Sequence, residues 1–176
     1  MDLIEKELSK EVIFRGKILS LEKYNVELPN KDISTREVVN HTGGVAILPI
    51  DNEGNIYLVK QYRFPIRKVL VEIPAGKFDS PNEDPLECGK RELAEEIGKQ
   101  ANKWIELGYI YTTPGFLAGK VYLYLAKELT EVGVNPDDGE FVEVLKVTTE
   151  EMKEMIKRGE ITDSKSICAF YKYLLI

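Results

Sequence analysis

Histidine and cysteine are scarce: this chain of 176 residues has one His and two Cys. A single His leaves no room for a multi-histidine zinc site. Cys88 and Cys168 form no Cys-x-x-Cys pair and cannot frame a disulfide-rich fold, so a reducing, cytoplasmic setting is expected. No window approaches the roughly 18 uncharged apolar residues of a membrane span. The N-terminus, Met1-Asp2-Leu3-Ile4-Glu5-Lys6-Glu7, is charged from the start and lacks an apolar stretch of signal-peptide length. With 13 Gly and 8 Pro, collagen-like and linker compositions are excluded. Basic residues are the minority, 24 against 30 acidic ones, and the net charge of -6 argues against a general nucleic-acid binder. There is no fixed-period repeat and no interdomain linker. What is there, 43% hydrophobic and 31% charged residues, is the composition of a soluble globular chain of one ordinary domain.

The first half reads mostly as strand. Glu11–Phe14, Ile18–Leu28, Thr35–Asn40 and Val69–Ile73 carry β-branched and aromatic residues between turn residues. Val45–Ile50 is apolar throughout and is expected to be buried. The turn Asp51–Asn55 then leads into Ile56–Tyr62, a hairpin signal. Trp104–Thr112, Val121–Lys127 and Phe141–Val147 are strand-like. Thr148-Thr149-Glu150-Glu151 starts one helix, and Asp163–Leu175 is another. The expected fold is α+β, a mixed sheet with one long inserted helix and helices at the C-terminus. Residues 1–40 form an N-terminal antiparallel strand region and residues 41–176 the main domain.

The informative stretch runs from Gly76 to Gly98. Asp84 can cap a helix, with Pro85 at its first position, Glu87 closing an Asp-x-x-Glu capping box and Gly98 ending it. At about 100° per residue, Glu96 lies about 40° from Glu92 on one side and Glu95 about 60° on the other. Leu86, Leu93 and Ile97 form an adjacent apolar face. Three carboxylates in one turn repel, and Arg91 can offset part of that repulsion. The arrangement is either a solvated acidic face or a site for a hard divalent cation, Mg²⁺ or Mn²⁺, which takes carboxylate oxygens and keeps positions open for phosphate.

Gly76-(six residues)-Glu83-(seven)-Arg91-Glu92-Leu93-x-Glu95-Glu96-x-Gly98 resembles the signature of the Nudix hydrolases, G-x5-E-x7-R-E-U-x-E-E-x-G-U, where U is a bulky aliphatic. It departs by one extra residue before Glu83 and by Lys99 in place of an aliphatic. The resemblance implies that family's α+β fold, a mixed β-sheet sandwiched by helices, and Mg²⁺- or Mn²⁺-dependent cleavage of a nucleoside diphosphate linked to another group. It further implies Glu92 and Glu96 as main metal ligands, Glu95 as a further ligand or orienter of water, and the Ala75 carbonyl as a backbone ligand. Arg91 would orient the carboxylates and Glu83 would stabilise the junction of loop and helix.

Thr35-Arg36-Glu37-Val38-Val39, Gly43-Gly44-Val45-Ala46, Gln61-Tyr62-Arg63 and Glu72-Ile73-Pro74-Ala75-Gly76 are similar to the ADP-ribose pyrophosphatase branch, as is Pro114 in Thr113-Pro114-Gly115-Phe116. By that resemblance Arg36, Glu37, Arg63, Glu72 and Pro114 are substrate-site candidates. Read alone, Pro114-Gly115 is a turn and Arg36 and Arg63 are sheet-surface residues, although a guanidinium fork suits phosphate. His41 reads as structural. Trp104 and Tyr109, Tyr111, Tyr122 and Tyr124 read as strand core or sheet surface, with stacking on an adenine as the alternative. Cys88 reads as an inert helix residue. Relatives often carry an acid shortly after the proline, but here Leu117-Ala118-Gly119-Lys120 has none. The acidic loop Asp137-Asp138-Gly139-Glu140 occupies the place from which the branch draws a general base, with Glu140 slightly favoured; its other reading is a solvated turn. The branch also implies a homodimer with exchanged N-terminal strands. The expected activity is hydrolysis of ADP-ribose to AMP and ribose 5-phosphate. The rivals are cleavage of another sugar nucleotide or a dinucleoside polyphosphate, and nucleotide binding without turnover.

Overall fold

The computed structural model describes residues 3–80, 82–133 and 141–176. The chain divides into two compact units. The first comprises the residues up to Gly43 together with Tyr111–Lys120. It holds β1 (Lys6–Arg15), β2 (Leu19–Glu27), β3 (Ile33–His41) and β9 (Leu117–Ala118), in sheet order β1-β2-β3-β9. β1, β2 and β3 are antiparallel and β9 joins β3 in parallel. Every residue of β1 is exposed in the single chain, including Val12, Ile13 and Phe14.

The second unit comprises Gly44–Ile110 and Val121–Ile176. One sheet has the order β7-β4-β10-β8, from Ala75–Lys77, Gly44–Pro49, Val121–Glu131 and Lys99–Ile110. It is mixed, because β10 runs parallel to β4 and antiparallel to β8. The other has the order β11-β5-β6, from Val142–Thr148, Asn55–Arg63 and Lys68–Glu72. Among the described residues three α-helices accompany them: α1 (Pro85–Ile97), α2 (Thr149–Lys157) and α3 (Ser164–Tyr173).

β4 explains the sandwich. All six of its residues are buried, and successive strand side chains point to opposite faces. Val45 and Ile47 pack with Cys88, Leu93 and Ile97 of α1. Ala46 and Leu48 pack with Met152 of α2 and Ala169 and Phe170 of α3. A strand covered by helices on both faces reads as a continuous apolar run, so the expected α+β class with helices on both sides is the observed one. No described helix is long and apolar enough to cross a membrane.

The structure corrects the reading of the turn at Asp51. An isolated antiparallel bridge, Ile50–Ile56, flanks the turn, but β4 and β5 belong to different sheets. The turn passes the chain from one sheet to the other instead of closing a hairpin within one. Asp51 organises it, with Oδ1 accepting from the Glu53 and Asn55 amides at 3.0 and 2.9 Å.

Candidate active site

The acidic helix is built by local signals. Asp84 Oδ1 accepts from the Leu86 and Glu87 amides at 2.9 and 3.2 Å, satisfying first-turn donors that the helix cannot. Glu87, expected to complete a capping box, instead pairs with Lys90 at 2.7 Å. Gly98 ends the helix with φ +65°, a left-handed conformation that favours glycine. Lys99, the departure from the signature, is 7% exposed and begins β8 at once. Its ammonium pairs with Glu131 and lies 4.5 Å over the Tyr57 ring, so its stem serves as the aliphatic while its head finds an anion and an aromatic face.

Glu92 and Glu96 are buried, at 8% and 4% exposure, and both lie against β7. The Ala75 N–H donates to Glu96 Oε2 at 2.9 Å. A Cβ on Gly76 would stand 1.8 Å from Glu92 Cδ and Oε1. Glu92 therefore fills the space that a side chain at position 76 would occupy. Arg91 binds the remaining carboxylates together. Its Nη1 is 2.8 Å from both Glu92 Oε1 and Glu95 Oε2, its Nε 3.4 Å from Glu83 and from Asp79, and its Nη2 donates to the Lys77 carbonyl at 3.2 Å. Burial opposes the charge on Arg91, but Glu92 and Glu95 outweigh it and push its pKa up. Glu83 also accepts from the Asp79 amide at 2.6 Å, joining the loop to α1. The Cys88 thiol is pushed up to about 12, mainly by burial, and is inert at neutral pH.

Among the described residues no three acidic, His or Cys side chains converge closely enough to hold an ion. Arg91 lies between the Glu92 and Glu95 carboxylates and supplies positive charge there. The donor set nevertheless fits a hard divalent ion. It consists of carboxylate oxygens, two of the carboxylates nearly buried, beside a stretch of backbone with no side chain at Gly76.

A second cluster lies at the other end of the Glu72–Ala75 segment. Glu72 is 1% exposed. Arg63 grips it with two bonds, Nε to Oε1 at 2.8 Å and Nη2 to Oε2 at 2.9 Å. Burial alone would raise the Glu72 pKa, but Arg63 and Lys165 outweigh it and hold the carboxyl below its ordinary value. Lys165 Nζ pairs with Glu72 and lies 2.9 Å from Asp163 Oδ1. Asp163 Oδ2 caps α3 through the Ser166 amide at 3.0 Å and accepts from Ser166 Oγ at 2.6 Å. Ser166 Oγ in turn accepts from the Ile73 N–H at 2.8 Å.

The structure thus brings Ala75, Arg91, Glu92, Glu95 and Glu96 together, and it pairs Arg63 with Glu72. Arg36, Glu37 and Pro114 belong to the first unit. There Arg36 pairs with Glu5 and donates to the Thr35 carbonyl at 2.8 Å. Pro114 sits in an exposed turn in which the Phe116 and Leu117 amides reach the Thr113 carbonyl. His41 Nδ1 accepts from the Gly43 amide at 2.9 Å, a local turn contact. Trp104 packs edge-on to Tyr124 and donates to the Ala101 carbonyl. Asp137, Asp138 and Glu140 lie outside the described residues. Sequence reasoning missed Lys165. The available signal was a cation in the first turn of a helix, where the helix dipole disfavours it.

The NUDIX domain family matches residues 40–170. The chain is 43% identical over 169 residues to an ADP-ribose pyrophosphatase of Bacillus subtilis, covering 95% of this chain and 91% of that protein. It is 42% identical over 167 residues to a methanol dehydrogenase activator of Bacillus methanolicus, covering 94% and 90%. The solved structure of an ADP compounds hydrolase superposes with a TM-score of 0.87 at 20% identity, over 99% of this chain and 95% of that one, and so shares its fold. With Glu92 and Glu95 of the signature helix set around Arg91 and a family match across most of its length, the chain belongs to the Nudix family.

Proposed function

We propose that this protein hydrolyses the pyrophosphate bond of ADP-ribose, giving AMP and ribose 5-phosphate, with Mg²⁺ or Mn²⁺ as its cofactor. The observation that carries the reading is the packing of Glu92 and Glu96 against the Ala75–Gly76 backbone, where no side chain of residue 76 intervenes. The name of the Bacillus subtilis relative supports the choice of substrate. Glu92, Glu96 and Glu95, with the Ala75 carbonyl, would hold the ion. When bound, the ion supplies positive charge at the pyrophosphate oxygens and lowers the pKa of water. Arg91 sets the carboxylates in place and neutralises them while the ion is absent. Arg63 and Arg36 take phosphate oxygens, and Glu37, Glu72 and Pro114 complete the substrate contacts. An acid of the loop, Glu140 ahead of Asp137 and Asp138, accepts the proton of the attacking water as the bridging P–O bond breaks.

The same reading makes the protein a cytoplasmic homodimer that exchanges its N-terminal strands, with residues 1–40 as the dimer-forming region. The apolar, exposed residues Leu8, Val12, Ile13 and Phe14 of β1 support that assembly. Light scattering of the whole chain tests it, and a monomer refutes it.

The test of function is AMP release from ADP-ribose, other sugar nucleotides and dinucleoside polyphosphates, with and without Mg²⁺. ADP-ribose is expected to be cleaved best, and only with the metal. Efficient cleavage of another compound with ADP-ribose inert would refute the substrate. Nucleotide binding without turnover of any member would refute the activity.

A further inference from the structure

Glu72 is a buried carboxylate with two cations, and the two are not equivalent. The Lys165 side chain is 14% exposed and that of Arg63 is 39% exposed. Lys165 is enclosed, its ammonium shared between Glu72 and Asp163. Arg63 reaches toward solvent, at the end of β5. Two cations thus face two carboxylates, Glu72 and Asp163, and the one shared between them is the enclosed Lys165. Lys165 also stands in the first turn of α3, where the positive end of the helix opposes an ammonium. Within α3, what offsets this is the N-cap Asp163, whose Oδ1 accepts from the Lys165 ammonium at 2.9 Å.

A guanidinium held by two bonds to a buried carboxylate is poorly available to a substrate. Turning it toward a phosphate would leave Glu72 buried with no compensating charge, which is strongly unfavourable. A second, enclosed cation removes that obstacle, because Glu72 remains paired whichever way Arg63 points.

We infer that Lys165 is a positioning residue that keeps Glu72 compensated and so frees Arg63 to bind a phosphate of the substrate. This rests on the reading above that Arg63 contacts the pyrophosphate. Asp163 holds Lys165 in place and is itself held by Ser166. Through the Ser166 Oγ contact with the Ile73 N–H, the same cluster fixes the segment that leads to Ala75.

The test is steady-state AMP release from ADP-ribose by the wild type, Lys165→Met, Lys165→Arg, Glu72→Gln and the double variant Glu72→Gln with Lys165→Met. Lys165→Met should raise KM by on the order of tenfold or more, with kcat within about twofold of wild type, the pattern of lost uniform binding. Lys165→Arg should restore KM. In the Glu72→Gln background Arg63 no longer faces a buried carboxylate at position 72, so losing Lys165, which then leaves only Asp163 without its cation, should leave KM where Glu72→Gln set it. A wild-type KM in Lys165→Met, or a loss confined to kcat, overturns the inference. So does an equal rise in KM in the Glu72→Gln background, because Lys165 would then act on substrate itself. If Lys165→Met does not fold, the comparison within the Glu72→Gln background decides alone. A wild type that releases no AMP overturns the proposed function and this inference with it, whereas an active wild type with an unmoved KM in Lys165→Met overturns only the inference.

Discussion

Gly76→Ala is a one-methyl change that acts on the Glu92 carboxylate. The added Cβ would lie 1.8 Å from Glu92 Cδ, 1.8 Å from Oε1 and 2.3 Å from Oε2. Ordinary contact begins near 3.4 Å, so the carboxylate must withdraw by roughly 1.5 Å, a shift that close packing around it makes costly. The clash is with the end of a side chain and not with backbone, so the fold can accommodate it. Overpacking of this kind costs about 1–3 kcal/mol, partly offset by about 0.4–1 kcal/mol from the stiffer unfolded chain. Activity is far less tolerant, since a misplacement of about 1 Å in a catalytic constellation can cost on the order of 10²-fold. Gly76→Ala is therefore expected to fold, to melt a few degrees lower and to lose about two orders of magnitude in kcat/KM. Adding Glu92→Asp shortens the side chain and should recover thermal stability without recovering activity. Melts by circular dichroism and AMP release over a Mg²⁺ titration check both halves. A Gly76→Ala protein with wild-type kcat/KM and unchanged Mg²⁺ dependence would refute the placement of Glu92 in the metal site.

Glu96→Gln keeps an oxygen to accept the Ala75 N–H but removes the anion, so turnover should drop by on the order of 10²-fold or more while the melting temperature holds or rises; near-normal turnover in saturating Mg²⁺ would exclude Glu96 as a ligand. Glu72 titrates below its ordinary value in the fold, so its stabilisation is present above the unfolded carboxylate pKa of about 4.3 and is lost as pH falls through the lower folded value. Glu72→Gln should flatten the acid limb of stability against pH, measured by urea midpoints, and an unchanged limb would show that the pair contributes nothing there. Among Asp137→Asn, Asp138→Asn and Glu140→Gln, one variant, Glu140→Gln first, should lose roughly 10²–10⁴-fold in kcat with little change in KM; three wild-type kcat values would leave water activation to the metal and Glu95.

The signature helix was legible because its signals are local. Asp84, Pro85 and Gly98 act on their own turn, and a 3.6-residue period alone places Glu92, Glu95 and Glu96 on one side. The apolar run of β4 announced a strand covered on both faces. Strand pairing was not legible. The Asp51–Asn55 turn specifies a reversal, but turn chemistry does not specify which sheet receives the next strand. β7, only Ala75–Lys77, is too short to show a period, although its backbone is what Glu92 and Glu96 pack against. β1 extends through the polar Lys6–Lys10 stretch, where only Glu11–Phe14 carried a strand composition.

Lys165 was invisible for a different reason. Its partner, Glu72, is 93 residues away in the chain, and no spacing rule spans that separation. What marks it physically is that buried charge is a poor way to stabilise a fold. Apolar residues of similar volume in place of a buried ion pair are often neutral or stabilising. Yet Glu72, Glu92 and Glu96 are all buried in the second unit, and Arg63, Lys165 and Arg91 are set among them. The hydrophobic clusters on the two faces of β4 need none of these groups. A sequence that buries Glu72 and, on α1, Glu92 and Glu96 around the Glu72–Gly76 segment, and then supplies cations from β5, α1 and α3 to tolerate them, departs there from the packing of its hydrophobic clusters. Such departures concentrate where function demands them. By that criterion the Glu72–Gly76 segment, with α1 at one end and Lys165 at the other, is the part of this fold built for chemistry.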